Sequence, residues 1–469
     1  MGYGIHTSLM MGRLHWIPAS DSLFGADSQR EKWNGIRIGT VWRSPAQKRG
    51  SFLHRRLIEI GQRGIAVRSL GGCRAGEMRL TRFLRNSKVT VGEIVEEAAM
   101  RTQARVAGRH VLAVQDTTSL RENSDGRSLK SHPVIAVDAE TGSVLGLVHA
   151  SFFANEGGKR NARKERGFAL KASRRWLDGA EAAAGLREAG ALCVTVVADR
   201  ESDIYEMFAL KPAPVELLIR AAQDRALEEG GRLFAHLASQ PVTGQISLDL
   251  PAAPGRAART IEIALRFCRA RIKRPGNRNS DCDLPESVAV NLIEAREINP
   301  PEGEEGALWR LITSHEVESF EDARYLTGLY RRRWQIEELF RTLKTRGFDI
   351  ERVTIAEGPF EKLAAAALVA AVSVLQLVQE RDGRAKRPLE DVFHADERQA
   401  LEAASKSLEG KTERQKNPHP KGSLAYAAWV CARLGGWTGY YGNPGPIVML
   451  RGLHQFRAIQ HGWTLAQNV

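Results

Sequence analysis

Short apolar segments recur through the middle of the chain, and two of them run directly into an aspartate. Their length of six or seven residues and their content of Val, Leu and Ile are typical of buried strands. Three consecutive strands are followed by helix, strand, helix and strand, which predicts an α/β core with a mixed sheet. The segments are His110–Gln115, Pro133–Asp138, Val144–His149, Leu192–Ala198 and Val215–Ala221.

The periodicity differs on either side of this core. Residues 52–107 follow a helical period, and Thr90–Glu93 resembles a capping box at the start of a helix. Residues 226–308 alternate or run like strands between Pro/Gly-rich and basic stretches, which predicts an inserted β subdomain. Two long helices are predicted at 319–346 and 358–381.

These patterns divide the chain into four parts. A helical N-terminal region occupies 1–107, although its first 50 residues follow no steady period. The α/β core comprises 108–225 and 309–385, the β-strand insertion lies at 226–308, and a helical C-terminal region takes 386–469.

Composition narrows the choice of partner. The 469 residues are 43% hydrophobic and 26% charged, which is ordinary for a folded protein. The formal net charge is +13 and the isoelectric point is about 9.7, so a polyanionic partner such as nucleic acid is favoured, with a basic protein lacking such a partner as the alternative.

The apolar and cysteine residues indicate a location in the cytoplasm. The longest apolar run, Leu363–Val378, is shorter than the roughly 18 residues of a membrane span and predicts a buried, Ala-rich core helix instead. Residues 1–17 lack the pattern of a signal peptide. The five cysteines are far apart, odd in number and form no Cys-x-x-Cys pair, which argues against a disulfide framework and a structural zinc site.

Two aspartates stand where strands end. Asp116 and Asp199 each follow an apolar strand directly. Ligand sites in open α/β sheets gather just beyond the carboxyl ends of strands, although an aspartate there is also a common turn or cap residue. Both interpretations stay open for either residue alone.

A third carboxylate, Glu337, lies on a predicted helix. At about 100° per residue, five polar residues share an arc of roughly 80°, beside an apolar stripe that includes Ile336 and Leu339. The alternative is a solvated face with ion pairs four residues apart, such as Arg333–Glu337 and Glu337–Arg341. The five polar residues are Tyr330, Arg333, Glu337, Arg341 and Lys344.

Carboxylates surrounded by cations suit phosphoryl transfer. Mg²⁺ prefers oxygen ligands and keeps several waters, so a few carboxylates suffice to bind it. Two such ions activate the attacking oxygen and stabilise the leaving one, and neighbouring Arg and Lys side chains hold a DNA strand by its phosphates.

These segments resemble the cut-and-paste transposases of the insertion sequence 4 family, within the DDE superfamily. Val114–Leu120 (VQDTTSL) resembles the first catalytic block and Val197–Tyr205 (VADRESDIY) the second. Tyr330–Lys344 (YRRRWQIEELFRTLK) fits the family signature Tyr-x2-Arg-x3-Glu-x6-Lys. Residues 1–50 do not match the family's N-terminal region.

The resemblance implies an RNase H-like core in which Asp116, Asp199 and Glu337 are catalytic and hold two Mg²⁺ ions, for which Mn²⁺ could substitute. It implies DNA-binding roles for Tyr330, Arg333, Lys344, Arg220 and Trp309, to which Arg341 is added from its place on the same helical arc. Trp309 would stack near a base displaced at the cleaved end, with an ordinary core tryptophan as the alternative.

The resemblance also implies the partners. The N-terminal region would bind DNA, and the C-terminal region would form a homodimer in a complex that pairs two transposon ends. The substrates would be the terminal inverted repeats and target DNA. Two alternatives are a catalytically inactive DNA-binding protein derived from a transposase, and a metal-dependent nuclease that does not join strands. The basic run Lys159–Arg175 is expected to contact the DNA backbone or to form a solvated face.

Overall fold

The computed structural model of the chain describes residues 73–122, 128–154, 173–250, 257–276, 283–353, 355–440 and 442–467, together with Leu53, Leu57 and Leu70. All of them belong to one compact unit, Arg49–Val469. The predictions for residues 1–50 and for the basic residues from Lys159 to Lys171 lie outside this description.

A mixed sheet contains every strand named here. Its order is β2-β3-β1-β5-β6-β10-β9-β8-β7, and β4 pairs with the free edge of β3. The five short apolar segments of the predicted core each coincide with a strand to within one residue at the shared ends or lie inside a longer strand. The strands are β1 (His110–Gln115), β2 (Thr118–Glu122), β3 (Ser128–Asp138), β4 (Val144–Ala154), β5 (Cys193–Ala198), β6 (Glu216–Arg220), β7 (Gly244–Leu250), β8 (Arg259–Lys273), β9 (Ser287–Glu297) and β10 (Leu308–Thr313).

Helices pack against the sheet and occupy both ends of the continuously described part of the chain, 73–467 with its gaps. They are α1 (Arg74–Arg85), α2 (Val91–Gln103), α3 (Arg174–Glu188), α4 (Tyr205–Ala209), α5 (Leu233–Ala238), α6 (Phe320–Arg331), α7 (Trp334–Leu343), α8 (Glu357–Glu380), α9 (Arg398–Leu408), α10 (Leu424–Leu434) and α11 (Pro446–Gln467). The predicted capping box is confirmed, because the Thr90 hydroxyl accepts from the Glu93 amide and the Glu93 carboxylate accepts from the Thr90 amide.

The centre of the sheet is parallel. β1 pairs with β5 so that Gln115 lies opposite Ala198, and β5 pairs with β6 so that Ala198 lies opposite Ile219. The three strands therefore end at the same level. β3, β4 and β10 run antiparallel to their neighbours, so the predicted mixed α/β sheet with flanking helices is confirmed.

The strands of residues 226–308 extend this same sheet. β10 pairs with β6 on one side and with β9 on the other, and β8 and β7 follow. The segment predicted as an inserted β subdomain is thus hydrogen-bonded to the core through β10. This continuity arises from pairing between distant segments, which the local pattern does not encode.

The single helix predicted over 319–346 is wrong. The structure has two helices, α6 and α7, joined by a turn at Arg332 and Arg333. The backbone there tightens to bonds between residues three apart, since the Arg333 amide donates to Tyr330 and the Ile336 amide donates to Arg333. The turn is held from outside by Arg332, whose side chain donates to the Glu140 carbonyl over 2.8 Å.

The long apolar helix α8 lies inside the protein. Gly358–Glu380 is long and apolar enough to cross a membrane, but 78% of its most apolar window is buried in the structure. It packs against β4, α2, α7 and α10. The prediction of a buried, Ala-rich core helix is therefore confirmed.

Candidate active site

Strand register brings the two aspartates together. Asp116 and Asp199 are the residues that follow the register partners Gln115 and Ala198, so they stand side by side at the carboxyl edge of the sheet. β1 and β5 hold them there because both strands are buried along their length.

Arg333 joins all three predicted carboxylates. Its Nη1 lies 3.0 Å from Asp116 Oδ2, and its Nη2 lies 2.7 Å from Glu337 Oε1 and 3.7 Å from Asp199 Oδ2. One guanidinium group therefore contacts three acidic side chains that are far apart in sequence. More than 80 residues separate Asp116 from Asp199, and more than 130 separate Asp199 from Glu337. The tight turn before α7 is what carries Arg333 into this position.

The carboxylates are partly shielded from solvent. Their side chains are 22–30% exposed, and Arg333 is 11% exposed. Burial raises the pKa of Asp116 to about 6; the Thr117 amide and Arg333 act against this, while Asp199 and Glu337 add to it. The three carboxylates can lie close together because the guanidinium group of Arg333 lies between them and offsets part of their mutual repulsion.

The donor set fits a hard divalent cation. Three carboxylates within reach of one guanidinium offer only oxygen ligands, and their remaining exposure leaves room for the water that Mg²⁺ retains. Mn²⁺ accepts the same ligands. Arg333 holds these oxygens in the structure, so it must release at least some of them when a metal binds.

Two more predicted residues contact Asp199, and a third lies beside one of them. The Tyr330 hydroxyl donates to Asp199 Oδ1 over 3.3 Å, and Arg220 Nη1 lies 3.9 Å from the same oxygen. Burial and the charge of Asp199 raise the pKa of Tyr330 well above its usual value, so the phenol stays protonated. The Trp309 ring lies 6.4 Å from the Tyr330 ring, centre to centre, and is partly exposed.

Two predicted DNA contacts are directed elsewhere. Arg341 pairs with Glu338 and lies over the Trp334 ring, 4.7 Å from its centre. Lys344 lies just beyond the end of α7 and pairs with Glu351 over 2.9 Å. The structure thus brings Tyr330 and Arg220 to Asp199 and places Trp309 beside Tyr330, whereas Arg341 and Lys344 pair with other acidic residues.

Trp334 was missed by the sequence reasoning. Its side chain is 47% exposed at the start of α7, next to Arg333 in sequence, and its Nε1 donates to Glu338. The signal was present, because at about 40° on the same wheel this large apolar residue lies among the polar ones. An exposed tryptophan beside a cation offers a surface for stacking.

The sequence analysis also missed the contacts around Thr117, the residue that follows Asp116 and whose amide donates to it. The Thr117 hydroxyl contacts His132 Nδ1 over 2.9 Å and accepts from Arg175 Nε over 3.0 Å. Arg175, the last residue of the predicted basic run, also pairs with Glu201. Burial lowers the pKa of His132 well below its usual value, so the imidazole is neutral. The sequence shows no pattern that links these residues.

The comparison with protein families agrees with the geometry. Residues 109–374, more than half of the chain, match the family described as the transposase DDE domain. The match begins just before β1, ends within α8 and contains Asp116, Asp199 and Glu337. The chain therefore belongs to the family of transposases with a DDE domain.

Proposed function

We propose that this protein is a cut-and-paste transposase of the insertion sequence 4 type, with an RNase H-like core and a catalytic triad of Asp116, Asp199 and Glu337. The observation that carries the proposal is the meeting of these three carboxylates on the guanidinium group of Arg333. A cluster of acids that needs one cation to balance it is suited to holding metal ions at a phosphodiester.

The triad would hold two Mg²⁺ ions, or Mn²⁺ in their place. When bound, the ions supply activation of the attacking oxygen and stabilisation of the leaving oxygen. Asp199 is kept in place for this by the Tyr330 hydroxyl and Arg220, and Asp116 by the Thr117 amide.

Arg333 would exchange its contacts with the carboxylates for a contact with a DNA phosphate. With metal and DNA bound, its guanidinium group is free to turn from the carboxylates to a phosphate of the scissile strand, for which its paired donors are well shaped. Arg220 and Tyr330 would contact neighbouring phosphates from the other side of Asp199, and Trp309 would stack on an unpaired base. Arg341 and Lys344, at the periphery, would contact the backbone further along the duplex.

The DNA reaction would proceed in stages. Water cuts the first strand at each end, the freed 3′-hydroxyl attacks the opposite strand to give a hairpin, and the reopened end then attacks target DNA. The partners are the terminal inverted repeats and the target. A homodimer joined through residues 386–469 would pair the two ends, with residues 1–107 binding DNA, in the bacterial cytoplasm.

The test is cleavage of the element's own terminal DNA. The purified chain should cut labelled ends only when Mg²⁺ or Mn²⁺ is added, and Asp116→Ala and Glu337→Ala should abolish cutting. Glu321→Ala is the matched control, since this exposed glutamate lies on α6 and pairs with Arg324. Equal cleavage by the wild type and the triad variants would refute the site.

A joining assay separates the related activities. If a pre-cut labelled end is inserted into a plasmid, the protein is a transposase. Cutting without insertion would identify a nuclease, and DNA binding without either would identify an inactive descendant of a transposase.

A further inference from the structure

A second cluster of potential metal ligands lies at the amino edge of the same strands. His110 begins β1, Cys193 begins β5 as its register partner, and His315 follows β10. One potential ligand atom from each residue lies within 4.8 Å of the others, and all three side chains are partly buried.

The two imidazoles point at one place. His110 Nε2 and His315 Nε2 each lie 2.8 Å from the hydroxyl oxygen of Thr195, which is fully buried. The other nitrogen of His110 contacts the Tyr325 hydroxyl over 2.9 Å. A partner on Nδ1 orients the ring of a metal-binding histidine, and here it directs Nε2 inward to the Thr195 hydroxyl.

Burial favours the uncharged form of each of these ligands, and it raises the pKa of the Cys193 thiol. It lowers the pKa of His110 to about 4, with help from His315, and it also lowers the pKa of His315. Neutral imidazole is the form that binds metals. Cys193 lies in the same group and carries the sulfur that borderline and soft cations prefer.

We infer that His110, Cys193 and His315 form a site for a transition-metal cation of the Zn²⁺ type, separate from the carboxylate site. Zinc takes nitrogen and sulfur ligands at about 2.0–2.3 Å, so ligand atoms within 4.8 Å must move by only about an ångström to reach one ion. A change of the Thr195 rotamer moves its hydroxyl from the point where the imidazoles converge. The Cys193 thiol loses its proton to solvent on binding, and water is the fourth ligand.

Such an ion would fasten parts of the fold that support the active site. It would join the starts of β1 and β5 to the segment after β10. The contact between His110 and the Tyr325 hydroxyl would link the ion to α6 as well. The same helix carries Tyr330 to Asp199. The site lies roughly 20 Å from Asp116 along β1, so its occupancy is distinguishable from that of the triad.

The experiment uses Co²⁺, which replaces zinc and reports its ligands by absorption. The purified full-length chain, stripped with a chelator and freed of it, should take up Co²⁺ with a thiolate-to-metal charge-transfer band and the visible bands of a tetrahedral site, and Zn²⁺ should remove both. Zn²⁺ should also raise the melting temperature of the chain.

Substitutions of the proposed ligands show which residues give rise to the Co²⁺ absorption bands. Cys193→Ser should lose the charge-transfer band and His315→Ala should weaken Co²⁺ binding by about 100-fold or more, because each removes a ligand. Cys268→Ser, at another partly buried cysteine, and Glu337→Gln should keep the band. Thr195→Ala should bind at least as tightly as the wild type, since no hydroxyl then competes.

The opposite results would overturn the site. They are no charge-transfer band in the wild-type chain, a band that survives Cys193→Ser, or a zinc-dependent rise in melting temperature that survives His315→Ala. Circular dichroism establishes that each variant is folded. The readouts do not involve DNA, so this inference stands or fails independently of the proposed transposition activity.

Discussion

The two ends of β1 and β5 carry opposite chemistry. At the carboxyl edge, Asp116 and Asp199 offer hard oxygen ligands, whereas at the amino edge His110 and Cys193 offer nitrogen and sulfur. The same strand register aligns both pairs. Burial favours the neutral form at each edge, because it raises the pKa of Asp116 to about 6 and lowers that of His110 to about 4.

The consequence for a cation differs between the edges. The neutral histidines at the amino edge contact only the neutral Thr195 hydroxyl, whereas the charged guanidinium group of Arg333 covers the carboxylates at the other edge. At the carboxyl edge, Arg333 must therefore leave the carboxylates before a metal ion can bind. At the amino edge, metal binding requires only small movements of the side chains. One sheet thus presents a site covered by a charged competitor, Arg333, and a site covered only by the neutral hydroxyl of Thr195.

Loss of a triad carboxylate is expected to have the largest effect. Glu337→Gln removes an oxygen charge from the carboxyl edge and should slow single-turnover DNA cleavage by more than about 100-fold. His315→Ala, at the amino edge, should keep cleavage within a few-fold at temperatures where it is folded. Comparable losses in both variants would erase the distinction between the two edges.

The pH dependence of stability sharpens the comparison at Asp116. Its folded-state pKa of about 6 exceeds the ordinary value of 3.8, so the folded protein holds this proton more tightly than the unfolded chain. The resulting contribution is present below pH 4 and is lost as the pH rises through 6, on the order of 1–3 kcal/mol.

Urea unfolding in the presence of a chelator measures this contribution. The free energy of unfolding of Asp116→Asn should lack the decrease that the wild type shows between pH 4 and 7. Identical pH profiles would mean that burial does not hold a proton at this edge.

Replacement of Arg333, the side chain that competes with metal ions for the carboxylates, should have an effect of intermediate size. Without DNA, Arg333→Gln should bind Mn²⁺ about tenfold more tightly than the wild type, because the carboxylates lose their guanidinium partner. Its cleavage of DNA should nevertheless fall, since the same residue is proposed to hold a phosphate. Mn²⁺ titration followed by electron paramagnetic resonance gives the affinity, and Arg324→Gln is an exposed control on α6. Weaker Mn²⁺ binding by Arg333→Gln would contradict competition at this edge.

The smallest effect is expected at the periphery. Arg341→Ala should weaken binding to terminal DNA by only a few-fold and reduce the slope of log affinity against log salt by about one, because Arg341 pairs with Glu338 rather than with the triad. Fluorescence anisotropy at several salt concentrations measures both. An unchanged salt slope would remove Arg341 from the DNA interface.

Local patterns were sufficient for most of the strands but not for the proposed triad. The short apolar runs of the core became strands, whereas β2 was not predicted and the long run Leu363–Val378 became a helix, as its length indicated. The strand ends marked Asp116 and Asp199 as candidates, although a turn or cap role stayed open for each of them. The resemblance to the transposase family singled out these two residues and Glu337.

Local patterns failed where a contact between distant residues decided the conformation. Arg332 and Arg333 are good helix formers, so the continuous helix was a reasonable prediction. The turn there is held by the Glu140 carbonyl and by the carboxylates, which lie far away in sequence. The extension of the core sheet by β7, β8 and β9 likewise depends on pairing that no single segment specifies.

The sequence by itself determined most of the strands, the buried helix α8 and the place of two aspartates at strand ends, because these follow from periodicity and from position relative to a strand end. Only the tertiary structure decided that Arg333 would occupy the middle of the triad, and that His110, Cys193 and His315 would meet although their spacing in the chain argued against a zinc site. The physical reason is that strand register and packing fix distances between residues far apart in sequence, and spacing along the chain carries no record of those distances.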